Sequence, residues 1–119
     1  MPLTIRSANR EHRFTVEVAR SPQQQQTGLM FRRSLGPNEG MIFPYPAPQE
    51  LAFWMKNTLI PLDMIFIRSD GTIARISTAK PLDLTPMPSG EPVSAVLELR
   101  GGRAAELGIR EGDTVSWTG

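Results

Sequence analysis

Three ionisable side chains stand where apolar strands are expected. Lys56 and Asp63 lie inside FWMKNTLIPLDMIF, running from Phe53 to Phe66, and Glu98 lies inside VSAVLELR. An ammonium and two carboxylates in such places fit three kinds of chemistry. Lys56 can pair internally with Asp63 or Glu98, a link whose loss would cost about 3–5 kcal/mol because one charge is left buried alone. Asp63 and Glu98 can act as acid and base, with Lys56, in a hydrolytic or transfer reaction, provided the fold brings them together. Alternatively, Lys56 can anchor an anionic ligand beside Trp54, with which strand parity makes it share a face.

Other reactive groups are scarce. The chain has no cysteine, one histidine (His12) and no GxSxG elbow, so nucleophilic hydrolysis lacks its parts, and His12, beside a turn, is expected to be exposed. Thioethers bind soft metals, but Met30, Met41, Met55, Met64 and Met87 are not clustered in sequence and read first as adaptable core filler. No metal or cofactor is expected. Met30, Met41 and Met55, with Phe43 and Trp54, would instead line a pliable apolar groove for a peptide or an acyl chain. Arg32 and Lys56 would be its cations and Asn57 its polar selector.

The elements that must position these residues are short. Leu3 and Ile5, a polar turn, and then Phe14, Val16 and Val18 predict a hairpin with one buried face. Ser21, Pro22 and Gln24 form the signature of a capping box that opens a short helix, closed near Gly28. GMIF at 40–43 is one strand, and the prolines at 44, 46 and 48 are expected to end it. FWMKNTLIPLDMIF divides at Pro61 into strands over about 51–57 and 62–68, with Asn57 and Thr58 holding the reversal. SDGT turns the chain into TIARIS. The stretch from Lys80 to Pro92 is too rich in proline for regular structure, VSAVLELR is a strand, and a helix over 103–107 and a strand over 114–118 complete the chain. Short strands separated by turn signals predict a single, mainly β domain over residues 1–119: an antiparallel sandwich or flattened barrel with two short helices.

Composition excludes several classes. Thirteen basic and twelve acidic residues leave a net charge of +1, with no basic run to follow a phosphate backbone, so nucleic acid is not an expected partner. Apolar runs fall far short of the roughly 20 residues that cross a bilayer as a helix.

The pieces GLMFR (28–32), GMIF, FWMKNTLIPLDMIFI (53–67), VLELRGG (96–102) and LGIREGD (107–113) resemble the domain of unknown function 192 (DUF192) family over nearly the whole chain. The resemblance implies a compact, sandwich-like β fold with two short helices, and no established activity. Many members carry an export segment, which implies the bacterial envelope if such a segment was removed here and the cytoplasm otherwise. The function expected is non-catalytic binding of a small anionic or apolar ligand, or of a peptide. Its rivals are an enzyme centred on Lys56, Asp63 and Glu98, and a structural envelope or assembly module without a small-molecule site.

Overall fold

A computed structural model describes residues 1–118. The hairpin forms as β1 (Pro2–Ser7) and β2 (Arg10–Val18), and helix α1 (Pro22–Thr27) follows. Next come β3 (Glu39–Gln49), β4 (Ala52–Phe53), β5 (Leu62–Ile67), β6 (Ile73–Ala79), β7 (Met87–Pro88) and β8 (Val93–Arg100). Helix α2 (Arg103–Leu107) and β9 (Thr114–Trp117) complete the chain. Seven strands make one sheet in the order β6-β5-β8-β3-β2-β1-β9, while β4 and β7 form a separate two-stranded ribbon.

The protein is mainly β with two short helices, as its turn signals predict, but one pairing differs from the antiparallel expectation. β2 and β3 run parallel, with Thr15 opposite Glu39 and Val18 opposite Ile42. A parallel neighbour needs a crossover, and residues 19–38, carrying α1, supply it. The sheet curls into a half-barrel whose two edges meet at one end. There Thr72 bridges Thr114, and the Val115 amide donates to the Gly71 carbonyl at 2.8 Å.

At β5 and β8 both faces of the sheet are buried, which is why these central strands do not alternate in polarity. All six residues of β5 are buried. On the concave face Ile5, Phe14, Ile42, Ile65, Ile67, Leu97 and Leu99 form one core, closed by Ala104 of α2. On the convex face Phe43, Met64, Phe66 and Val96 form a second, covered by Leu29, Leu35 and Met55 from the connections. Met41, Met55 and Met64 fill this second core, the use expected of methionine.

Two predicted boundaries moved. The strand expected over 51–57 shrinks to Ala52–Phe53, because the Met55 amide donates to the Asp83 carbonyl at 2.8 Å and Asn57 takes a left-handed conformation, φ 55°. Asn57 is thus the turn residue its type suggests. In contrast, β3 runs past Pro44, Pro46 and Pro48 to Gln49. Its register against β8 breaks between Pro44, opposite Ala95, and Gln49, opposite Val93. The β2 pairing has already ended at Ile42, so the prolines remove no donor from that ladder. The Pro-rich segment from Lys80 to Pro92 is irregular except for the two residues of β7.

Candidate functional site

Strand register separates the two carboxylates of the rival acid and base reading. Glu98 of β8 lies opposite Met64 of β5, and Asp63 lies opposite Leu99. An offset of one residue reverses the face. Asp63 therefore shares the concave side with Ile65 and Ile67, whereas Glu98 shares the convex side with Met64 and Val96. An acid and base pair across the sheet is geometrically closed to them.

Asp63 is buried and fully engaged. Its Oδ1 accepts from the Thr78 hydroxyl at 2.7 Å and from the Gly102 amide at 2.9 Å, and its Oδ2 accepts from the Ala104 amide at 2.9 Å. Gly102, the residue before α2, offers no side-chain cap, so Asp63 caps this helix from a distant strand. Two backbone amides and the Thr78 hydroxyl serve this carboxylate in place of a cation.

Lys56 corrects a second expectation. It is exposed, and its Nζ rests 5.3 Å from the centre of the Trp54 ring. The side chain lies along the indole as parity suggests, but no ion pair joins it to Asp63 or Glu98 among the described residues. The loop around Asn57, not a continuous strand, aims it outward.

Glu98 differs from both. It is 4 % exposed, flanked by Met41 and Met64 on the neighbouring strands, and its carboxyl faces a cleft of about 290 Å³. Burial alone pushes its pKa up to about 8, with no contribution from a hydrogen-bond donor or a cation, so the group is a neutral carboxylic acid at pH 7. Tyr45, also at the cleft, is raised to about 12 by burial and then by its nearness to Glu98. The phenol stays protonated as well.

One wall of the cleft is the end of α1. The Ser21 hydroxyl accepts from the Gln24 amide at 3.1 Å and Gln24 Oε1 accepts from the Ser21 amide at 3.0 Å, the reciprocal capping box its spacing predicts. Gln25 Nε2 donates to the Ala19 and Pro44 carbonyls at 3.1 and 3.0 Å, which fixes the helix on the sheet. Gly28 ends it at φ 49°, ψ −129°, a conformation costly for any other residue. A Cβ there would come within 3.3 Å of the Phe43 ring.

The opposite wall is Ala52, Phe53 and Trp54. It is held by the pairing of Ala52 with Pro88 and Phe53 with Met87, and by the Leu51 amide donating to Ser89 Oγ at 2.9 Å. Phe53 meets Phe43 edge-on, with centroids 5.1 Å apart at 86°, an arrangement aromatic rings favour.

Of the residues expected to bind, Met30, Phe43 and Trp54 line this cleft. Arg32 and Met41 border a neighbouring groove, where Arg32 forms a two-pronged pair with Glu17 at 2.7 and 2.8 Å. Those hydrogen bonds hold Glu17 below the usual carboxylate range. Met55 is buried in the core, and Asn57 serves the turn, its carbonyl accepting from the Phe31 amide at 2.8 Å. Neither expected cation faces the cleft. Sequence reasoning missed Tyr45, hidden in a proline-rich stretch, and placed Glu98 in an ion pair. The available signal was one acid within the otherwise apolar VLEL. His12, expected to be exposed, is half-buried with its Nε2 lacking a hydrogen-bond partner. No group of three metal-ligating side chains occurs among the described residues, and no helix among them is long and apolar enough to cross a membrane.

The class of protein is a curled, mainly β domain with two short helices. The chain belongs to the DUF192 family, described as an uncharacterized ACR, whose model matches residues 3–117. It is similar to a protein of unknown function from Novosphingobium aromaticivorans DSM 12444, with a TM-score of 0.94 and 48 % identity, covering 98 % of this chain and 84 % of that one. It is also similar to a Sinorhizobium meliloti 1021 protein described as "a putative transcription regulator", with a TM-score of 0.94 and 43 % identity, covering 97 % of this chain and 91 % of that one. No curated protein matches.

Proposed function

We propose that this protein is a non-catalytic binding module whose small ligand rests its apolar part on Phe43, Phe53 and Trp54 and its polar end on Glu98. The observation that carries this reading is the Glu98 carboxyl, buried without a partner in the lining of the cleft. Leaving a polar group unpartnered costs about 1–3 kcal/mol. A ligand that bonds to it recovers that cost. The cleft volume stands at the small end of the roughly 300–1,000 Å³ common for ligand pockets, which favours a compact ligand.

The rival enzyme has less support, since Lys56, Asp63 and Glu98 occupy three separate places. An anionic ligand has less support too, with Arg32 paired to Glu17 and Lys56 outside the cleft. A role in gene regulation, suggested by the description of the Sinorhizobium protein, would need a nucleic-acid surface. The charge of +1 and helices of six and five residues offer little for one.

Amide NMR titration with 1-hexanol tests the reading. Shifts confined to residues 25–30, 43–45, 52–58 and 98 are expected. Absent shifts, or shifts scattered over both faces of the sheet, would reject it.

A further inference from the structure

The reading of the cleft as a binding site leaves open which polar group its ligand presents. We infer that this group is a primary ammonium at the end of an apolar chain, taken up against Glu98 between the rings of Phe53 and Trp54. The inference rests on the binding reading above and sharpens it.

The first argument is the chemistry of the floor. Glu98 sits between Met41 and Met64 with no donor from the protein. A carboxylate needs donors or a cation when buried, and an ammonium supplies three donors and the charge. The second argument is the wall. Aromatic faces attract cations, most strongly indole, and the cleft has Trp54, Phe53, Phe43 and Tyr45 but no arginine or lysine. The third concerns competing charges. Among the described residues, Glu98 and Tyr45 are the only titratable groups lining the cleft, and Tyr45, raised to about 12, stays neutral. Lys56, exposed and held over the Trp54 ring, is the cation next to that wall. The site thus presents an acid and aromatic faces with nothing to repel an incoming ammonium except Lys56.

Proton balance follows directly. The free site carries a carboxylic acid, the ligand arrives as R–NH3+, and the complex is a carboxylate–ammonium pair. One proton passes from Glu98 to solvent. Because Glu98 ionises only near pH 8 in the free protein, affinity should rise roughly tenfold per pH unit below that value. It should then level off until the amine itself loses its proton, near about 10.4 for a lysine-like group.

Hexylammonium, 1-hexanol and hexanoate, compared by calorimetry in buffers of different ionisation enthalpy and by NMR, decide the matter. The expected result is that hexylammonium binds at least tenfold more tightly than hexanol at pH 7.5, releases about one proton at pH 6.5, and weakens roughly tenfold at each unit toward acid. In Glu98→Gln, the neutral match to the protonated acid, hexylammonium should lose at least tenfold and its pH dependence; a variant that keeps the wild-type preference for hexylammonium over hexanol would overturn the inference.

If hexanol or hexanoate binds wild type as well as hexylammonium does and no proton is released, the ammonium inference falls while the cleft reading stands. If none of the three shifts the cleft resonances, both fall. Nα-acetyl-lysine methylamide separates two sources of the same group: binding equal to hexylammonium points to a lysine of a polypeptide, and binding by hexylammonium alone to a free amine. Either supports the ammonium.

Discussion

Asp63 and Glu98 stand on adjacent strands, one residue out of register, and meet opposite fates. Asp63 faces the concave core, where α2 begins, and three donors surround it. Glu98 faces the convex side, where α1 and the 52–58 segment leave a gap, and no hydrogen-bond donor of the described residues reaches it. Both are buried acids in apolar strands, and composition alone could not separate them. The difference teaches that a buried carboxylate is structural when the fold directs backbone amides at it, and available for binding when the fold directs none.

The largest way to break this contrast is Asp63→Ala. It would leave two backbone amides and a hydroxyl without their acceptor and remove the side-chain cap at the start of α2. A loss of about 3 kcal/mol or more in urea unfolding at pH 7 is expected. A loss below about 1 kcal/mol would mean that Asp63 is as dispensable as a surface acid.

Glu98→Gln should act in the other direction, and its sign depends on pH. The folded pKa of about 8 lies above the ordinary value of 4.5. Below pH 4.5 the acid is protonated in both states and costs nothing. Between about 4.5 and 8 the unfolded chain releases a proton that the folded chain keeps, so native stability falls as pH rises, and the deficit is complete above about 8. Glutamine does not titrate. The variant should match wild type near pH 4 and exceed it by several kcal/mol at pH 8.5, read as a melting difference that widens with pH. A constant difference would refute the protonated acid.

The smallest effect belongs to Lys56→Met. An exposed ammonium over an indole is worth about 0.5–1 kcal/mol, so thermal unfolding should shift only slightly. A loss of several kcal/mol would instead restore the internal ion pair.

Much of the architecture was legible in the chain. The hairpin around Ala8 and Asn9, the capping box at Ser21, the Asp70-Gly71 turn and the glycine after α2 are local devices, written within a few residues of one another, and each forms where its residue types require. The candidate site was legible only in fragments. Met30, Phe43 and Trp54 were recognisable as apolar side chains near polar ones, yet Tyr45 and Glu98 come to the same cleft from strands about fifty residues apart. Lys56 drew attention by its charge within an apolar run, and the turn at Asn57 carried it to the surface.

What the sequence by itself determined is most of the strands, their turns and the presence of two acids within apolar strands, because periodicity, capping and turn chemistry act over a few residues. The tertiary structure alone decided which acid would be satisfied. That choice depends on the register of β5 against β8 and on the parallel crossover that sets α1 on the convex face. Register is fixed by packing of the whole sheet, and a shift of one residue exchanges the faces of every side chain on a strand.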